Sequence, residues 1–156
     1  MIHITIPGFN SFDLEHLVLD FNGTMAIDGN LIDGVTERLF KLAKQLSIHV
    51  LTADTFGKVQ MQIGGLPLNL HILKQRDQAE AKRDYIRELN PEATVSIGNG
   101  RNDRLMLEES ALGIAVMQKE GTAYETLSAA DVVVPDILSG LELLQNPLRL
   151  KATLRS

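Results

Sequence analysis

The chain has no cysteine among its 156 residues. That excludes a disulfide framework and any cysteine-ligated zinc site, and it fits a reducing compartment such as the cytoplasm. No apolar run approaches the roughly 18 residues needed to span a bilayer. The opening Met1-Ile2-His3-Ile4 also lacks the basic and long apolar regions of a signal peptide. A soluble, cytoplasmic protein with no membrane partner is expected. Internal repeats, low-complexity linkers and a glycine-proline bias are absent as well, which argues against a disordered chain. Basic residues are the minority, 15 against 20 acidic ones, for a net charge of -5. Nucleic acid is therefore not an expected partner, although the tail, 145–156, carries Arg149, Lys151 and Arg155. That tail reads as solvated or as a contact for another subunit. The histidines, His3, His16, His49 and His71, lie on or near strands without metal-ligand spacing and read as packing or surface residues. Met106 and Met117 read as core.

What is present is an ordinary globular composition, 44% apolar and 22% charged, on a chain long enough for one domain with a real core. Short apolar runs alternate with amphipathic stretches, the pattern of βαβ units and a mainly parallel sheet, so the fold class is α/β. Strands are expected at Ile2 to Ile6, His16 to Asp20, Ile48 to Thr52, Leu70 to Leu73, Thr94 to Ile97, Gly113 to Val116 and Asp131 to Val134. From Val35 to Leu46 the residues Leu39, Leu42, Ala43 and Leu46 share one helical face, with Glu37, Arg38, Lys41 and Lys44 opposite. Gln78 to Leu89 repeats the pattern with Ala81, Tyr85, Ile86 and Leu89, and Asn90-Pro91 ends it. Between Gly23 and Gly34 an Asp28-Gly29-Asn30 turn flanked by apolar residues predicts a small β-hairpin flap. The core is expected over about 16–144.

Two loops stand out. Asp20 closes the run Leu17-Val18-Leu19 and opens Phe21-Asn22-Gly23-Thr24. Later, Gly98-Asn99-Gly100-Arg101-Asn102-Asp103 follows a second apolar run. In open parallel sheets ligands sit beyond the carboxyl ends of strands, near the point where strand order reverses, so two such loops can meet in one phosphate and magnesium site. A dinucleotide fold fits poorly, because Gly98-Asn99-Gly100 lacks the third glycine of that fingerprint and runs into Asn-Asp.

Asp20-Phe21-Asn22-Gly23-Thr24, Thr52, Lys82 and Gly98-Asn99-Gly100-Arg101-Asn102-Asp103 resemble, in order, the four motifs of the haloacid dehalogenase-like (HAD) superfamily. The branch they are most similar to is that of the soluble relatives of P-type ATPases. Leu112-Gly113-Ile114-Ala115-Val116 and Ala129-Ala130-Asp131-Val132-Val133-Val134 resemble the end of the pumps' phosphorylation domain. The resemblance implies a three-layer Rossmann-like core and a phosphotransferase that forms an aspartyl phosphate on Asp20, splitting one hard hydrolysis into two displacements. It implies Mg²⁺ held by Asp20, Asp103, the backbone carbonyl of Asn22 and, in one reading, Asn99, since magnesium prefers a few oxygen ligands in near-octahedral geometry. The phosphoryl group would meet the Thr52 hydroxyl, the Lys82 ammonium, the backbone around Gly23 and Thr24, Ala53 and Asn102. Lys74 and Arg76 compete with Lys82 for the cationic role.

Two departures from that pattern matter. Asn22 stands where typical members carry a second Asp, the general acid and base, and Asn99 stands where the last motif has its first Asp. Both point to slow turnover, or to a binding or regulatory module that holds phosphate without useful turnover. The intervals from Thr24 to Thr52 and from Thr52 to Lys82 are too short for a large insertion or cap. The resemblance thus implies an open site, a phosphorylated substrate of unknown identity, and a homo-oligomer as one way to complete the wall.

Overall fold

The computed structural model describes residues 1–53, 57–74 and 76–156. Along the chain come β1 (Ile2–Ile6), β2 (Asn10–Leu14), β3 (His16–Asp20), β4 (Ala26–Ile27) and β5 (Asn30–Leu31), then α1 (Val35–Leu42). β6 (Ser47–Thr52), α2 (Lys58–Ile63), β7 (Asn69–Ile72) and α3 (Gln78–Leu89) follow. The second half contains β8 (Thr94–Gly98), α4 (Arg104–Glu109), β9 (Leu112–Val116), α5 (Tyr124–Ala129), β10 (Val132–Val134), α6 (Ile137–Gln145) and α7 (Pro147–Leu154).

Six strands make one parallel sheet in the order β10-β9-β8-β3-β6-β7. From β3 the chain first builds outward through β6 and β7. It then returns to add β8, β9 and β10 on the opposite side. The reversal falls between β3 and β8, whose registers pair His16 with Thr94 and Leu19 with Ile97. Asp20 and the loop after Gly98 therefore emerge side by side. The central strands are covered on both faces, which explains their unbroken apolar runs: Leu17, Val18 and Leu19 are all fully buried. α3 and α4 lie together on one face over Val18, Leu51 and Ala115, with α5 beside α4. The other face carries α1 and α6 over Leu17, Leu19 and Val50.

The expected strands of this sheet are present with ends shifted by a residue or so, and α3 spans the expected residues. Four features differ from the sequence reading. The strand at Ile2–Ile6 is not in the main sheet; it pairs antiparallel with β2, which the reading did not anticipate. The cause was in the pattern: Ile2, Ile4 and Ile6 are buried while His3 and Thr5 are exposed, the alternation of a half-covered antiparallel ribbon. α1 stops at Leu42, and a turn lets Leu46 plug the core before β6. The basic tail forms α7, which buries Leu150 and packs against β1, while the Ser156 N–H donates to the Pro7 carbonyl at 3.2 Å. Met117 is half exposed, whereas Met106 is fully buried.

The flap forms as expected. β4 and β5 are joined by Asp28 and Gly29 at φ 51° and 75°, the two consecutive left-handed residues of a tight hairpin. Among the described residues no helix is long and apolar enough to cross a membrane.

Under α3, His49 is nearly buried and its Nδ1 lies 2.9 Å from the Tyr85 hydroxyl. Its Nε2 and the Nδ1 of His16 are buried without a hydrogen-bond partner among the described residues. Burial first, then the nearby His16 and His71 rings, push His49 down from 6.5 to about 4. An unfolded chain takes up a proton here that the native state refuses. The contribution to stability is therefore complete above pH 6.5 and lost as pH falls toward 4, up to about 3 kcal/mol. Urea unfolding at pH 7.5 and 4.5 should show His49→Leu losing less stability across that interval than the parent protein.

Candidate active site

Three strand ends and one helix build the site. Asp20 ends β3 and is nearly buried; in register beside it Leu51 precedes Thr52, buried at the end of β6. Lys82 projects from the second turn of α3 and is 1% exposed. Its Nζ donates to Asp20 Oδ1 at 2.6 Å and to Asp103 Oδ1 at 2.6 Å, so one buried ammonium joins both carboxylates. Asp103 is itself fully buried, and its Oδ2 accepts from the backbone N–H groups of Asn99 at 2.9 Å and Gly100 at 2.8 Å. Gly98 is required by this packing, because a Cβ there would lie 2.6 Å from the Asp103 side chain. Lys74 and Arg76 are exposed and make no such bridge.

Two carboxylates with one cation leave a net negative charge in a desolvated space. Burial, followed by the repulsion of Asp103, raises Asp20 from 3.8 to about 7, against the opposing pull of Lys82. Burial disfavours the Lys82 ammonium, yet Asp103 and Asp20 outweigh it and hold the group above the ordinary lysine range. An additional cation would relieve this imbalance. The donor set consists of hard carboxylate oxygens, as magnesium requires, so the residues present fit that ion. Among the described residues no three His, Asp or Glu side chains gather as a cage. A magnesium ion held by two carboxylates, a carbonyl and water needs none.

The nucleophile loop is more tightly tied than its sequence suggests. The Thr24 hydroxyl donates to Asn99 Oδ1 at 3.2 Å, and Asn99 Nδ2 donates to the Gly121 carbonyl at 2.9 Å. Gly23, at φ 82°, lies against that amide so closely that a Cβ would meet it at 2.5 Å. The N–H groups of Gly23 and Thr24 point within the loop, to the Ala26 carbonyl at 2.8 Å and the Phe21 carbonyl at 3.2 Å. Both are committed inside the loop and do not face a ligand. Asn22 is exposed, and Ala53 is half buried just beyond Thr52. Asn102 donates to the Gln78 side chain at 2.7 Å and so secures the start of α3.

Residues 118–123 were missed by sequence reading, yet they hold the loop after Asp20, the flap and Asn99. Gln118 Nε2 donates to the carbonyls of Gly23 at 2.7 Å and Thr24 at 2.8 Å. Glu120 accepts from the Asp28 N–H in the flap at 2.9 Å, while Gln62 grips the flap's other side through Leu31 at 2.7 Å and Gly29 at 2.6 Å. Gln118 has φ 40°, a strained value for this residue type, and nothing in Met-Gln-Lys-Glu-Gly announces it. A cleft of about 490 Å³ opens beside the site, lined by Gln78, Ala79, Arg101, Asn102 and Arg104 among others. Another, of about 580 Å³, lies at the opposite end of the sheet among Asp13, Glu15, Glu92 and Glu109, away from the convergent groups.

No family model matches the chain. A curated protein of Methanocaldococcus jannaschii described as a soluble P-type ATPase-like phosphatase is 32% identical over 120 residues, 73% of this chain. The chain spans 43% of that protein's length. An uncharacterised protein of the same organism is 44% identical over 79 residues, 48% of this chain and 85% of its own. Among solved structures, a protein from Streptomyces avermitilis assigned to the HAD family of hydrolases superposes with TM-score 0.64 at 20% identity, over 84% of this chain and 80% of its own. The chain shares the fold of hydrolases of the HAD family. Its fold is also shared with the cobalt-bound 8-phosphate phosphatase of Haemophilus influenzae that acts on deoxy-D-mannose-octulosonate 8-phosphate, TM-score 0.70 at 14% identity over 91% of each chain. The Moraxella catarrhalis enzyme, in complex with magnesium, phosphate and KDO, gives 0.67 at 18% identity over 92% and 94%. In this chain the Lys82 ammonium joins Asp20 and Asp103 at the carboxyl ends of the central strands.

With Asp20 raised from 3.8 to about 7, the native state keeps a proton that the unfolded chain has released. The group's contribution to stability therefore falls as pH rises through that window. In EDTA at pH 8, Asp20→Asn should be more stable than the parent by more than about 1 kcal/mol, and the gain should vanish near pH 4, as measured by chemical denaturation.

Proposed function

We propose that this protein is a magnesium-dependent, capless phosphohydrolase that works through an aspartyl phosphate on Asp20. The observation that carries the reading is the Lys82 ammonium bridging Asp20 and Asp103 at 2.6 Å each, at the point where strand order reverses. Asp20 attacks phosphorus in line; a carboxyl oxygen to phosphorus bond forms as the bond to the leaving group breaks. Lys82 offsets part of the charge that accumulates when a carboxylate meets a phosphoryl group, and Thr52 offers a hydroxyl at the end of β6. Asp20, Asp103 and the Asn22 carbonyl would hold magnesium, which when bound would supply the remaining charge neutralisation. Asp103 is aimed by two backbone N–H groups on Oδ2, which turns Oδ1 toward Lys82 and the place a cation would take.

Asn22 supplies no proton. A general acid and base typically contributes about 10²- to 10⁴-fold, or roughly 3 to 5.5 kcal/mol of barrier. Poor leaving groups should therefore react slowly, whereas an acyl or aryl phosphate loses less at the first step. Release of phosphate from Asp20 is slowed by the same lack. A second reading is favoured by the same exposed amide: a regulatory module that takes up or holds phosphate without useful turnover.

The absence of cysteine supports a cytoplasmic setting. β7 forms one edge of the sheet, with Ile72 half exposed and Met61 on α2 81% exposed. That edge supports a homo-oligomer that completes the wall of the open site. Light scattering across a dilution series should give a mass that falls together with activity; a monomer of constant activity would sink this part of the proposal.

The central test is a phosphatase assay with magnesium over acyl phosphates, aryl phosphates, sugar phosphates and nucleotides, run beside Asp20→Asn. Turnover of the acyl or aryl phosphates should exceed that of the sugar phosphates by at least tenfold and be abolished in the variant. No activity above the variant, with beryllium fluoride and magnesium still raising Tm, would favour the regulatory module.

A further inference from the structure

Asn99 stands where the family pattern has a carboxylate, and that position invites a reading of Asn99 as a weakened metal ligand. Its surroundings argue otherwise. The residue is nearly buried, and its backbone and side chain are all engaged. The N–H donates to Asp103 Oδ2 at 2.9 Å, the carbonyl accepts from Ala123 at 2.9 Å, Oδ1 accepts from the Thr24 hydroxyl at 3.2 Å and Nδ2 donates to the Gly121 carbonyl at 2.9 Å. The amide offers an acceptor to a hydroxyl and a donor to a carbonyl from one planar group, whereas an ionised carboxylate offers acceptors only. An ionised carboxylate would set a lone pair against the Gly121 carbonyl and leave that buried acceptor without its proton.

A second amide holds the same loop from the other side. Gln118 Nε2 uses both protons, on the Gly23 and Thr24 carbonyls, while its Oε1 accepts from the Ile137 N–H at 3.0 Å. Gln118 bears the cost of φ 40°, and its own N–H donates to the Pro135 carbonyl at 2.9 Å. A non-glycine residue held in that region persists where its surroundings over-determine it.

We infer that Asn99 is a positioning residue rather than a metal ligand: with Gln118 it forms an amide clasp that fixes Gly23 and Thr24, and through them Asp20, before any cation arrives. The magnesium part of the inference rests on the function proposed above; the clasp itself does not. It follows that restoring the family's aspartate at this position damages the site instead of repairing it.

The test compares the full chain with Asn99→Asp, Gln118→Glu and, as a control far from the site, Ser110→Ala. Three readouts are taken: Tm in EDTA, magnesium affinity by calorimetry, and the ¹⁹F resonances of beryllium fluoride on Asp20. Both clasp variants should lower Tm in EDTA by roughly 3 to 10 °C. Asn99→Asp should bind magnesium no more than about threefold tighter than the parent, because the added charge is offset by the loop it displaces. Gln118→Glu should move the ¹⁹F resonances, whereas Ser110→Ala, which loses a buried hydroxyl bonded to Met106, should lower Tm and leave them in place. A gain of tenfold or more in magnesium affinity for Asn99→Asp overturns the inference, as do unchanged resonances in Gln118→Glu or unchanged Tm in both clasp variants. If the parent binds no magnesium, the metal-dependent function fails, and Tm in EDTA still decides the clasp. Should Asn99→Asp not fold, Gln118→Glu alone carries the decision.

Discussion

One ammonium between two buried carboxylates is the constraint on which the rest of the structure depends. Lys82 can occupy that place only because α3 packs over β3 and β6, and because Asp103 is turned inward by the backbone of Asn99 and Gly100. Removing two charges from water costs several kcal/mol per ion unless each finds partners of good geometry. Here every partner comes from a different segment: β3, the loop after β8, and α3. The bridge is thus weak evidence for stability and strong evidence for a site, since the charge imbalance it leaves is what a phosphoryl group with a metal ion could use.

The layered fold gives this bridge its rigidity. β3 and β6 sit inside a sheet covered on both faces, so the carboxyl ends carrying Asp20 and Thr52 are anchored by Leu17, Leu19, Val50 and Leu51. The flap, by contrast, is a two-residue-per-strand hairpin that buries little of its own. It is fixed in place by the side chains of Gln62 and Glu120, one from each side. A site without a cap domain can keep a wall in this way, through hydrogen bonds rather than through an added core.

Asparagine at 22 and at 99 are not equivalent departures. At 22 the side chain is exposed, so under the proposed function its consequence is chemical: it offers no acid or base to the reaction at Asp20. At 99 the side chain is buried within the network and meets a hydroxyl and a carbonyl that an amide can satisfy together. The first is a loss of acid-base power. The second is an exchange of charge for geometry.

The sequence alone carried the α/β class, the order of the central strands along the chain, the helix at Gln78–Leu89 and the hairpin at Asp28-Gly29, because periodicity and turn chemistry are local properties. It also carried the candidates Asp20 and Asp103, which end or follow apolar runs, and, through the resemblance of the four motifs, Thr52 and Lys82. It left the ribbon of β1 and β2 unread, although the alternation of Ile2, Ile4 and Ile6 was a usable signal, and it took the C-terminal helix for a solvated tail or a subunit contact because the stripe of Leu150 and Leu154 is only one turn long. Which lysine meets the carboxylates, the turning inward of the Gly23 and Thr24 N–H groups, and the roles of Gln118, Glu120 and Gln62 were decided only by tertiary structure. The side-chain bonds among these join residues 21 to 95 positions apart, and a single amide or ammonium carries no mark in sequence of the distant group it will meet.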